Sequence, residues 1–145
     1  MKKIVIVTLI TMLSAGIFAQ STNNDGTPTK QHKVVIQLSS NDTLVSKSLI
    51  GNINHLKQGW GKSVQIEMVA HGAGIELLMA AKTTQQISIH NLKKMGVVFV
   101  GCENTMIIRK ISKEEIISEA DFVPMGVGEI VMKQEDGWSY LKAGF

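Results

Sequence analysis

An α/β fold is what this chain predicts: a single three-layer domain around a mostly parallel sheet of about five strands. Two observations carry that expectation. Short apolar runs alternate along the chain with segments whose apolar residues recur every three or four positions, the strand–helix–strand rhythm of parallel sheets. Turn-forming residues or glycines close most of these segments, leaving room for right-handed crossovers with helices on both sides.

Val34-Val35-Ile36-Gln37-Leu38 reads as the first buried strand, and Ser39 to Thr43 as the turn into a helix. That helix shows its apolar face through Val45, Leu49, Ile53 and Leu56, and Gly59 can end it. A second strand, Val64 to Ala70, runs into His71-Gly72-Ala73-Gly74, after which Ile75, Leu77, Leu78 and Met79 suggest a short apolar helix. Gln86 to Met95 forms another helix, stopped by Gly96. Val97 to Val100 is the third strand, leading through Gly101 into Cys102, with Asn104 or Thr105 as cap of a short helix through Met106, Ile107 and Ile108. Ser112-Lys113-Glu114-Glu115 is a capping box. Phe122-Val123 makes a short fourth strand before Pro124. A helix with Val127, Ile130, Val131 and Gln134 on one face runs to Gly137, and Trp138 to Leu141 is the last strand.

Residues 1–19 read as a secretory signal: Lys2 and Lys3, an apolar stretch from Ile4 to Leu13, and the small-residue exit Ser14 to Ala19. Cleavage after Ala19 and a periplasmic or secreted destination follow, with an uncleaved amphiphilic anchor as the alternative. The stretch is shorter than the roughly 20 residues of a membrane-spanning helix, so no stable span is expected after cleavage. Residues 20–32 are polar, contain Pro28, and read as a flexible leader. Residues 33–145 are then one domain with its own core. Removing the signal removes two lysines and no acids, leaving thirteen basic residues against twelve acidic ones. Balanced charge without a basic stripe argues against nucleic acid as a partner.

No motif asks for a cofactor. Gly61-Lys62-Ser63 resembles the end of a phosphate-binding loop, but it precedes a strand, and Leu56 stands where the first glycine belongs. Gly126-Val127-Gly128 lacks the third small residue of a dinucleotide loop and is better read as shaping the start of a helix. His71-Gly72-Ala73-Gly74 resembles an esterase oxyanion loop, yet there is no Gly-x-Ser-x-Gly elbow. One cysteine without a paired ligand motif offers no metal site.

What remains is Cys102, the one cysteine of the chain, at the end of an apolar strand. Helix-end N–H groups beside it favour the thiolate, whereas the neighbouring carboxylate of Glu103 opposes a second negative charge. His71, after the preceding strand, is the candidate base or stabilising cation; contact requires the second and third strands to be neighbours. Asn41, His71 and Cys102 all follow strand ends and should share the carboxyl edge of the sheet, where sites of such folds gather. Asn41, Asn104 and Thr105 are candidate ligand-binding or orienting residues, with plain turn and cap roles as the alternative. For Cys102 the alternative is a small buried hydrophobe.

Three ordered motifs carry a resemblance. Val69-Ala70-His71-Gly72 with Gly74-Ile75-Glu76-Leu77, Gly101-Cys102-Glu103-Asn104-Thr105-Met106, and Val123-Pro124-Met125-Gly126-Val127-Gly128-Glu129 resemble the DsrE/DsrF-like proteins over about residues 34–140. The resemblance implies a compact α/β domain, a homo-oligomer or hetero-oligomer, and a family that includes sulfur-relay subunits. In those subunits a cysteine after the third strand carries sulfur as a persulfide, and Cys102 occupies the similar place. It also implies a sulfur donor or acceptor protein as partner. Relay subunits work in the cytoplasm, so an export signal departs from their pattern. The competing expectation is a non-enzymatic oligomer that binds a small ligand or partner at the same edge.

Overall fold

The computed structural model describes residues 30–144. Its strands are β1 (His32–Leu38), β2 (Val64–Ala70), β3 (Val97–Cys102), β4 (Asp121–Val123) and β5 (Ser139–Ala143). They form one five-stranded sheet in the order β4-β3-β2-β1-β5, with every neighbouring pair parallel. The signal, 1–19, and the leader as far as 29 lie outside the described residues. β1 starts at His32, earlier than the apolar run alone suggests, because His32 pairs with Val64 and stacks its ring on Trp60 at 4.0 Å.

Four helices connect the strands: α1 (Thr43–Trp60), α2 (Gln86–Lys94), α3 (Glu103–Arg109) and α4 (Gly126–Glu135). Asp42 caps α1, its side chain accepting from the Leu44 N–H at 2.7 Å. The helix runs one residue past Gly59 and stops at Gly61, whose φ of +53° suits a residue without Cβ. Its buried stripe is Ser46, Leu49, Ile50, Ile53 and Lys57, turned slightly from the expected face, so Val45 and Leu56 are only partly covered. Lys57 tolerates burial because its ammonium donates to the Val64 carbonyl at 3.2 Å. The apolar segment after β2 is a 3₁₀ stretch, Gly72–Leu78, instead of an α-helix. The Ser112–Glu115 capping box forms, with the Ser112 N–H donating to Glu115 Oε2 at 2.8 Å, but it opens only a 3₁₀ turn.

The sheet is covered unequally. On one side Leu38, Ile66, Met68 and Phe99 pack with Leu49 and Ile53 of α1, Ile89 and Leu92 of α2, and Met106 of α3. On the other side the buried cluster is Val35, Val69, Val100 and Ile130 of α4. Three layers result, with α4, among the described residues, the one helix on the second face. Of its expected apolar face, Val127 and Val131 are exposed, and Ile130 does the packing.

Candidate functional site

Alternation along parallel strands places Val35 and Gln37, Val69 and His71, and Val100 and Cys102 on the α4 face. Since Ala70 pairs with Gly101, His71 and Cys102 follow on adjacent strands, one step beyond that pair. The neighbour relation required for their contact is therefore present.

Cys102 is both the last residue of β3 and the N-cap of α3, so strand passes into helix without a turn. Asn104 and Thr105 consequently lie inside the first helical turn and do not cap it. α4 also begins here: the Gly126 N–H donates to Cys102 Sγ at 3.2 Å. A Cβ at position 126 would come within 3.1 Å of the Cys102 Cβ, 3.2 Å of Val69 Cγ1 and 3.3 Å of the His71 Cβ. Glycine is what lets this helix start settle onto the thiol.

The thiol is 4% exposed. Burial pushes its pKa up, but the Thr105 hydroxyl, the Gly126 amide and the amides of Thr105 and Asn104 together outweigh that and bring it below the usual cysteine value. Thr105 is held for this role, because its oxygen accepts from the Gly72 N–H at 3.0 Å and its own proton remains to be donated. Glu103 is diverted from the sulfur by Lys113, at 2.7 Å, so the expected opposition from its charge is offset. Asn104 has an exposed side chain; its amide, which also donates to the Pro124 carbonyl at 3.2 Å, is its contribution.

His71 continues β2 in extended conformation, and its N–H donates to the Leu38 carbonyl at 3.0 Å. Burial lowers its pKa, which favours the neutral imidazole over the cation. Its Nε2 lies 2.7 Å from Gln37 Nε2, and Tyr140 in turn donates to Gln37 Oε1. Among the described residues no hydrogen bond joins the His71 ring to Cys102.

Of the glycines after His71, Gly74 serves packing, since a Cβ there would overlap the Leu38 carbonyl, and Gly72 takes a φ of +55°. Asn41 is at the same edge but not at the thiol. Its amide reaches Glu76 Oε2 at 3.5 Å, within a network where Glu76 also binds Arg109 and Lys82. The structure thus gathers Cys102, His71, Thr105 and the Asn104 amide, and leaves Asn41 apart.

Sequence reasoning missed three participants: Gly126, Gln37 and Tyr140. Gly126 had a signal, a glycine at the start of a helix, whereas Gln37 and Tyr140 had only their strand parity.

The same residues sit in a segment that a family model matches: residues 21–143 fit the DsrE/DsrF-like family. The chain belongs to the DsrE/DsrF-like family. The family is associated with sulfur relay. No curated protein matches it. Among solved structures it is similar to a protein of unknown function from Methanobacterium thermoautotrophicum, with 29% identity and a TM-score of 0.73, covering 77% of this chain and 99% of that one. A protein of unknown function from Bacteroides thetaiotaomicron shares the fold at 20% identity and a TM-score of 0.61, over 76% of this chain and 93% of that one. The ychN protein of E. coli does so at 15% identity and a TM-score of 0.53, over 79% and 99%. In this chain the fold places Cys102, at the end of β3, where α3 and α4 begin.

Proposed function

We propose that this is an exported sulfur-handling protein in which Cys102 accepts, holds and passes on sulfane sulfur as a persulfide. The observation that carries the reading is the convergence of two helix starts on one sulfur, with Gly126 donating to Sγ at 3.2 Å. Export rests on residues 1–19, and the protein works as a homo-oligomer that meets a sulfur donor or acceptor protein in the periplasm or outside the cell.

The chemistry is an exchange without net oxidation. The Cys102 thiolate attacks the outer sulfur of a donor R–S–SH; a new S–S bond forms as the donor's S–S bond breaks. R–S⁻ leaves and takes a proton from solvent, and Cys102–S–SH remains. Fixed N–H donors serve both the attacking thiolate and the persulfide anion that follows. At 4% exposure the thiol admits a narrow terminal sulfur more readily than a bulky electrophile.

One feature favours the second reading, a non-enzymatic oligomer that binds a ligand or partner. Met125, Val127, Val131 and Met132 are all about half exposed or more, at or on α4, as an assembly surface would require. Intact mass after incubation with glutathione persulfide separates the two. The wild-type mature protein should gain one sulfur atom, and Cys102→Ser should gain none. A folded protein whose Cys102 reacts with methyl methanethiosulfonate yet takes no sulfur would sink the carrier reading in favour of the binder.

A further inference from the structure

On the α4 face a hydrogen-bonded chain crosses three strands and ends beside Cys102. Tyr140 on β5 donates its O–H to Gln37 Oε1 on β1, and Gln37 Nε2 lies 2.7 Å from His71 Nε2 after β2. An amide NH₂ group is donor only, so the imidazole nitrogen facing it must accept. A neutral imidazole that accepts at Nε2 carries its proton on Nδ1.

The direction of the chain follows from donor and acceptor strength. A phenol O–H is a good donor and its oxygen a poor acceptor, while an amide carbonyl is a good acceptor. Tyr140 therefore faces the carbonyl of Gln37 and turns the NH₂ group towards the ring. Protonating His71 would set an N–H against that NH₂, so the arrangement opposes the imidazolium.

The surrounding ionisable groups do not reverse this. Cys102 is on the adjoining strand and Tyr140 is reached through Gln37. Arg109 of α3 is engaged by the Gly72 carbonyl and Glu76, and Lys133 of α4 by Glu67 and Glu129. Among the described residues Nδ1 has no hydrogen-bond partner, which leaves its N–H for an anionic sulfur group arriving at the site.

We propose that Gln37 and Tyr140 are positioning residues that hold His71 neutral with its proton on Nδ1, making it a hydrogen-bond donor to the departing donor thiolate and not the base that ionises Cys102. This rests on the sulfur-carrier reading of Cys102. It assigns thiol ionisation to the fixed N–H and O–H donors, and to His71 the leaving group R–S⁻.

The test is made on the ¹⁵N-labelled mature protein, with the His71 ring assigned against His71→Asn. Two-bond ¹H–¹⁵N spectra at pH 7 should show neutral imidazole protonated at Nδ1; an Nε2–H tautomer or an imidazolium overturns the proposal. Gln37→Glu places an acceptor where the donor was, and should move the proton to Nε2 and raise the His71 pKa by at least about one unit. Persulfide transfer from glutathione persulfide should slow several-fold in Gln37→Glu. In Tyr140→Phe, where the amide loses its orienting donor, the tautomers should mix, which keeps the proposal open to refutation if Gln37→Glu fails to fold.

Equal transfer rates in wild type and a folded Gln37→Glu variant would sink the positioning role and leave the carrier reading intact. An Nδ1–H tautomer in a protein that takes no sulfur would instead sink the carrier reading, and the leaving-group role with it.

Discussion

The two faces of the sheet are built to different ends. Under α1, α2 and α3 the packing is wide and apolar, from Leu38 through Met68 to Phe99, all fully buried. Under α4 the buried apolar cluster is four residues, with Val123 and Trp138 packed against it, and polar side chains share that face: Gln37, Glu67, His71 and Cys102 follow the same strand parity as Val35, Val69 and Val100. The fold is stabilised on one side and its chemistry displayed on the other. Near the carboxyl edge of the second face hydrogen bonds replace apolar contact as the means of fixing side chains.

The division breaks if truncating the wide core costs no more than changing the narrow one. Phe99 sits in a central strand with no exposed surface. Phe99→Ala should destabilise by about 3–5 kcal/mol, through lost transfer energy and the cavity left behind. Urea unfolding at pH 7 measures it, with Phe99→Leu as a milder variant should the alanine form not fold. A cost below about 1 kcal/mol would mean that this face does not hold the fold as described.

A smaller effect is expected from the charge buried under α4. Glu67 is 5% exposed in the middle of β2, and Lys133 reaches it at 2.6 Å while also contacting Glu129 at 3.5 Å. Burial raises the Glu67 pKa; Lys133 works against that and Glu129 with it. Lys133 itself is desolvated, but its two carboxylate partners prevail and hold it charged. Removing one partner of a fully buried pair costs about 3–5 kcal/mol; because a fifth of the Lys133 side chain is exposed, Lys133→Met should cost about 2 kcal/mol at pH 7. Without its ammonium Glu67 must take a proton on folding, so the cost should shrink as pH falls towards 5. Pairing Glu67→Leu with Lys133→Met should recover most of the loss. Urea midpoints at both pH values check each step, and a cost that grows towards acid pH would contradict the account.

How much of this was legible before any fold was known depends on range. Strand ends, the alternating elements and the position of Cys102 are local properties, and periodicity and turn residues reveal them. Even Gly126 announces the start of a helix. What stayed hidden are contacts that depend on strand order: Gly126 reaches Cys102 across 24 residues, and Gln37 reaches His71 across 34. A strand pattern says which residues share a face but not which strand lies beside which, so Tyr140 read only as part of a last strand. Asn41 shows the same limit. Its strand-end position was read correctly, but loop direction carried it to Glu76 instead of the thiol. Thr105 was singled out both as an orienting residue and as a candidate cap; because β3 runs directly into α3, it lies within the first turn with its hydroxyl at the sulfur.

The smallest effect sharpens the contrast by moving charge to the exposed rim. Arg109 on α3 and Lys82 both bind Glu76, with Arg109 a third exposed and Lys82 about half. The Arg109 hydrogen bond, then that of Lys82, against a small opposing burial effect, brings the Glu76 pKa down to about 2. A carboxyl with a depressed folded pKa contributes stability above its unfolded value near 4.5, and that contribution disappears as pH falls towards 2. Solvent screens such a pair, so Arg109→Gln should cost at most about 1 kcal/mol at pH 7, and less in high salt. It should also flatten the acid limb of the stability curve between pH 4.5 and 2. Lys133→Met should respond much less to salt, because its partner is withdrawn from solvent. If the two variants lose stability equally and with the same salt dependence, burial under α4 is not what distinguishes the two charge networks, and the narrow face would owe its order to packing alone.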